Sequence, residues 1–143
     1  MTVPHPAQPE PPPADPQSEP FWTNLRAHRL TMQRCEECQY VRWPPARHCP
    51  QCLATRAVWA ELSGRGSVWS IAVYEHAYAP EFASSLPYNV ALVELAEGPM
   101  LISNLVIDDI TAIRIGDAVT AVFDDVSADL SLVRFAPAPG EVA

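Results

Sequence analysis

The chain of 143 residues contains four cysteines, arranged as two pairs of identical spacing: Cys35-x2-Cys38 and, ten residues on, Cys49-x2-Cys52. Two residues between thiolates let each pair close a tight knuckle. Two knuckles facing one another complete a tetrahedral S4 shell, which suits Zn²⁺ at about 2.3 Å per bond. The intervening loop is shorter than the roughly 15 to 20 residues common between such pairs. It still has room for a hairpin, and Pro44-Pro45 stiffens it. Four protein ligands close the coordination shell to water and substrate, so a zinc ion held this way is structural and does no chemistry.

Other uses of four cysteines fit less well. Disulfides call for an oxidising compartment, and Met1 to Pro20 lacks the basic and then apolar segments of a secretory signal. A rubredoxin-type iron takes the same ligands, but nothing else in the sequence suggests an electron-transfer partner. Redox dithiols sit in a βαβ pattern that is missing here. Neither knuckle has the glycine often found after its second cysteine; Gln39 and Leu53 stand there. A side chain at positive φ is strained, which weakens metal binding. His48, beside Cys49, is a substitute ligand in principle, but with the thiolate set complete it reads as a surface or neighbouring residue.

Catalytic patterns are absent. No serine lies in a nucleophile elbow, and there is neither a phosphate loop nor a dinucleotide fingerprint. Glu75-His76 ends a predicted strand, and the histidine reads as a hydrogen-bonded rim residue rather than an oriented base. Gly64-Arg65-Gly66 reads as a bulge or tight turn.

The elements that must position the knuckles follow from composition and period. Eight of the sixteen prolines fall in the first twenty residues, so 1–18 is expected to be a disordered leader, with too little apolar surface to repay ordering. Ser18, Glu19 and Pro20 supply a cap, an early acid and a first-turn proline; Phe21, Leu25 and His28 share a face, predicting a helix over about 20–29. With the helix, the cysteine module spans 19–59. Apolar, partly alternating runs then recur at 58–62, 67–75, 88–96, 100–106, 118–126 and 130–135, broken by glycine and proline. Between them, 108–114 has room for one helical turn. The fold class is therefore mainly β, with a short N-terminal helix, a zinc ribbon and a five- to six-stranded antiparallel barrel of OB type over 60–137, before a flexible tail at 138–143. A barrel hides the edges that a flat sheet of this size exposes; a small sandwich is the alternative.

Charge is uneven. Six of the nine arginines cluster at 26–56, whereas from residue 60 onward three arginines oppose twelve carboxylates. A negative barrel repels a phosphate backbone, which argues against nucleic acid as a partner. No stretch approaches the roughly 20 apolar residues of a membrane span, and the protein is expected to be soluble and cytoplasmic.

In order, PFW with a short helix, QRCEEC, WPPARHCPQC, LSGRGSVWS, LPYNVALVELAEGPMLISNLV, IRIGDAVTAVF and a closing FAP run from about Pro20 to Pro137. This series resembles the domain-of-unknown-function family that couples an N-terminal rubredoxin-like zinc ribbon to a C-terminal OB fold. The missing knuckle glycines are its main departure. The resemblance implies metal ligation by Cys35, Cys38, Cys49 and Cys52, and a partner rather than a reaction. Members of that family accompany thiolase-like enzymes, including lipid-transfer-type thiolases and aldolases of steroid side-chain degradation. In archaea they bridge an acetoacetyl-CoA thiolase to the next synthase, and some are fused to a MaoC-type hydratase. The expected role is a non-catalytic accessory subunit of a hetero-oligomer that helps hold or pass a coenzyme A thioester. Around the ribbon, Arg42 and Arg47 suit coenzyme A phosphates or an interface, and Phe21, Trp22, Tyr40 and Trp43 suit interface anchors. The competing reading of these aromatics is that they seal the ribbon against the helix. The rival function is a single-stranded nucleic-acid binder, for which OB folds are a platform.

Overall fold

A computed structural model describes residues 11–139. Residues 1–10 and 140–143, on which most of the leader and tail expectations fall, lie outside the described residues; 11–18 hold no helix or strand. The helix α1 spans Glu19–Arg26, opening with proline in its first turn. Ser18 does not cap it through its side chain. Instead its hydroxyl donates to Asp15 Oδ2 (3.0 Å), and the Asp15 carbonyl accepts from the amides of Ser18 and Glu19 at 3.1 and 2.9 Å. The helix stops three residues earlier than the pattern predicts. His28 takes φ +59°, and the chain turns back with the Arg29 amide bonded to the Asn24 carbonyl at 2.9 Å. Phe21 and Leu25 are buried, while His28 falls outside the helix and is exposed.

Three strands form the ribbon sheet: β1 (Thr31–Cys35), β2 (Val41–Arg42) and β3 (Ala57–Glu61), in the order β2-β1-β3. The run expected at 58–62 thus pairs with β1 across the cysteine module and does not enter the barrel. The barrel has five strands: β4 (Arg65–Tyr74), β5 (Tyr88–Leu95), β6 (Met100–Ser103), β7 (Ala118–Asp125) and β8 (Ser131–Pro137), in the antiparallel order β6-β5-β4-β7-β8. A 3-10 turn at Ile110–Ala112 supplies the short helical element between β6 and β7.

The sheet is curled into a half-barrel. Its edges β6 and β8 meet through a parallel bridge between Leu105 and Phe135, with the Val106 amide bonded to the Phe135 carbonyl at 2.7 Å. Two devices curve it. Gly66 lies where an added Cβ would fall 2.7 Å from the Glu94 carbonyl oxygen, so β4 and β5 approach as only glycine permits. A register shift between Val68 and Ser70 then turns Trp69 outward and bends the strand. The tight-turn residue of the Gly-Arg-Gly tripeptide is Gly64, at φ +80°. Along β5 the alternation Ala91, Val93, Leu95 points into the core.

Helix, ribbon and barrel share one core. Phe21, Leu25 and Met32 belong to the same buried cluster as Val93, Leu105 and Phe135. Within it Asn89 is fully buried and staples β5 to the bridge: its Nδ2 donates to the Leu105 carbonyl (2.9 Å) and its Oδ1 accepts from the Leu105 amide (2.6 Å).

Candidate metal centre and the adjoining groove

Each knuckle is built the same way. The Cys35 carbonyl accepts from the Gln39 amide at 3.0 Å and the Cys49 carbonyl from the Leu53 amide at 2.8 Å. The amides of Cys35 and Cys49 in turn reach the carbonyls of Tyr40 and Ala54, both at 2.8 Å. This winding forces Gln39 and Leu53 to φ +68° and +67°, the strain expected where glycine is missing.

The two knuckles bring the four Sγ atoms within 4.8 Å of one another, with Cys35–Cys52 at 3.5 Å and Cys38–Cys49 at 3.6 Å. Four sulfurs about 2.3 Å from a common tetrahedral centre lie about 3.8 Å apart, so the residues fit a zinc ion. All four cysteines are free thiols, so the disulfide reading fails. His48 is exposed and is not part of the cluster.

Backbone amides favour the thiolates in matching positions. The Cys38 amide is the main cause that lowers Cys35. Burial alone would raise Cys49, but the amides of Cys52 and Gln51 and the nearby thiols bring it down to about 6. Their neighbours move the other way. Cys38 rises despite the Tyr40 amide, through burial and the Cys49 thiol. Cys52 is helped by the Ala54 amide, yet burial and the three surrounding thiols push it up to about 12. Four thiols this close cannot all ionise unaided, and a divalent cation is what lets them do so.

Beside the ribbon, a groove of about 520 Å³ runs between α1 and the facing edges β6 and β8. Trp22, Trp43, Met100, Ile102 and Leu132 line it, with Arg134 at its floor. Arg134 is almost fully buried and pairs through Nε with Asp124 Oδ2 at 2.7 Å. Burial pulls its guanidinium below the ordinary range, and Asp124 opposes that. Ile102 is 71% exposed at the rim.

The residues singled out for binding part ways here. Phe21 is buried, with its ring 4.3 Å from Trp43 and 5.1 Å from Trp22, so it seals the helix and is not a surface anchor. Trp22 and Trp43 are half-buried on the groove wall, and Tyr40 stands apart, exposed next to the first knuckle. Arg47 is exposed on the loop between knuckles. Arg42 is only 3% exposed, its Nε bonded to Gln33 Oε1 and its Nη2 to the Ala46 carbonyl, both at 2.9 Å; it does not face solvent where a phosphate would approach. Met100, Ile102 and Leu132 were missed from sequence because they look like ordinary strand residues until β6 and β8 are brought alongside the helix. His76 is exposed, with its ring 5.1 Å from Tyr78.

Residues 22–57 match the family description "ChsH2, rubredoxin-like zinc ribbon domain", and residues 59–124 match "ChsH2, C-terminal OB-fold domain". A DUF35 domain-containing scaffold protein of Methanothermobacter thermautotrophicus is 35% identical over 104 residues, covering 71% of this chain and 77% of that protein. The chain belongs to the DUF35 family. A chain of the solved "Ltp2-ChsH2(DUF35) aldolase" superposes with a TM-score of 0.81 at 35% identity, over 89% of this chain and 98% of that one. A longer relative, the probable enoyl-CoA hydratase alpha subunit of Thermomonospora curvata, is 38% identical over 129 residues; this chain spans 40% of its length. Membership in the DUF35 family accords with the four-cysteine ribbon and the half-barrel described above. Among the described residues no helix is long and apolar enough to cross a membrane.

Proposed function

We propose that this chain is a non-catalytic, cytoplasmic scaffold subunit that binds a thiolase-like aldolase and helps hold its coenzyme A thioester, with one zinc ion held by Cys35, Cys38, Cys49 and Cys52. The observation that carries the reading is the likeness to nearly the whole of a chain from the Ltp2-ChsH2(DUF35) aldolase. The names of similar chains, scaffold protein and enoyl-CoA hydratase alpha subunit, support a place in an acyl-CoA enzyme assembly, and the family resemblance adds a MaoC-type hydratase as a second partner. The site chemistry supports it. A closed tetrathiolate centre offers no reacting position. The groove beside it is apolar, concave and rimmed by an exposed isoleucine, as a docking surface requires. Trp22, Trp43 and Ile102 are this chain's anchors toward the partner, and Tyr40 extends that surface on the ribbon. Arg47 is the arginine of the earlier pair free to meet a coenzyme A phosphate.

The experiment is co-expression with the thiolase-like aldolase of the same genome, followed by size exclusion and elemental analysis. A stable complex with one zinc per scaffold chain is expected, together with aldolase activity that the scaffold alone lacks. Ile102→Glu should weaken the complex by about tenfold or more, since an apolar side chain of this size contributes roughly 1.5–3 kcal/mol when fully buried. Failure of the two native chains to associate would reject the scaffold role. Tight, salt-sensitive binding to single-stranded DNA or RNA would favour the nucleic-acid reading instead.

A further inference from the structure

Arg42 carries a charge that the protein part of the ribbon does not balance. It is 3% exposed, and among the described residues no carboxylate lies within ion-pair distance of it. Its Nε and Nη2 donate to neutral acceptors, Gln33 Oε1 and the Ala46 carbonyl, and its buried Nη1 has no hydrogen-bond partner. A buried cation without an anion is strongly unfavourable, so a negative charge has to stand nearby.

The register says where. Arg42 pairs directly with Gln33, and Cys35 lies two residues farther along β1 on the same face. Cys35 and Arg42 are therefore diagonal neighbours, whose backbone positions lie about 7–8 Å apart in such a sheet. Cys35, like Cys49, is fully buried. Four thiolates around one Zn²⁺ carry a net charge of about −2. We propose that Arg42 is the counter-cation of the tetrathiolate centre. It rests on the assignment of a metal to the four cysteines, but not on the identity of any partner protein.

The same side chain ties the metal to the groove. The Ala46 amide also donates to Gln33 Oε1 at 2.9 Å, so Gln33 and Arg42 together clamp the turn at 43–46. Trp43 and Pro44 of that turn line the groove. Metal occupancy holds the charge of Arg42, and Arg42 holds the groove wall.

The test uses the full chain with two substitutions. Arg42→Gln removes the charge and keeps a hydrogen-bonding head; Arg42→Lys keeps the charge and loses the planar fork. For a unit charge about 8 Å from the centre, an effective dielectric of about 20 gives about tenfold or more in metal affinity. In competition against a chromophoric chelator, Arg42→Gln should bind zinc about tenfold more weakly, and Arg42→Lys should stay within about threefold of native. Iron reconstitution supplies a readout that packing alone does not move. One-electron reduction takes ferric tetrathiolate to the more negative ferrous form, which a nearby cation favours. Arg42→Gln should therefore lower the midpoint potential by about 59 mV or more, the one-electron equivalent of tenfold, while Arg42→Lys leaves it near native. Equal zinc affinity and potential in native and Arg42→Gln proteins overturns the proposal, as does a loss in Arg42→Lys as large as in Arg42→Gln. Should Arg42→Gln fail to fold, Arg42→Met takes its place as the neutral variant: a fall of about 59 mV or more in the iron potential supports the counter-cation, and an unshifted potential overturns it.

Discussion

Replacing Leu53 by glycine should tighten zinc binding, although it removes a large apolar side chain. Leu53 sits at φ +67° and is 73% exposed, so its side chain adds strain to the knuckle and little burial. A non-glycine residue in the left-handed region is disfavoured by about 1–2 kcal/mol. Glycine returns about 0.5–1 kcal/mol of that through the greater freedom of the unfolded chain. The amide that bonds the Cys49 carbonyl at 2.8 Å is kept. The net gain is about 0.5–1 kcal/mol, which is about two- to fivefold in affinity because metal binding and ribbon folding are one equilibrium. Gln39→Gly should gain less: Gln39, at φ +68°, also donates its side-chain amide to the Glu36 carbonyl at 3.2 Å. Leu53→Ala is the control, since a Cβ retains the strain. Zinc affinity is measured by competition with a chromophoric chelator at fixed pH. If Leu53→Gly bound zinc no better than native, or Leu53→Ala gained as much, backbone strain would not be what limits this centre.

Two further outcomes follow from the barrel. Gly66→Val should destabilise the protein by about 1–3 kcal/mol in urea unfolding, since the new Cβ would meet backbone that cannot yield; an unchanged midpoint would show that β4 and β5 can separate. For Asp125, the Ser131 hydroxyl and then His28 hold the carboxyl below its ordinary range. Its folded value is lower than its unfolded one, so its contribution is present above about pH 4 and is lost as pH falls through the folded value. The melting temperatures of native and Asp125→Asn proteins should therefore differ near neutrality and converge in acid; a constant gap would remove Asp125 as the cause.

Much of this protein was legible in one dimension because the decisive information is local. Two Cys-x2-Cys pairs define the knuckles by spacing alone, and Gln39 and Leu53 announced their strained backbone by standing where glycine is usual. Period and breakers located the strands, because side-chain alternation and turn chemistry act over a few residues. What sequence could not decide was partnership between distant segments. The run at 58–62 looked like a barrel strand, and only pairing with β1 assigned it to the ribbon. Phe21 suited an interface anchor and Arg42 a coenzyme A phosphate or an interface, but the shared core took the first and the turn at 43–46 covered the second. The groove depends on α1, the inter-knuckle turn, β6 and β8 converging from positions more than a hundred residues apart. No local pattern encodes that convergence: burial is set by which faces meet when the core closes, and that is a property of the folded chain.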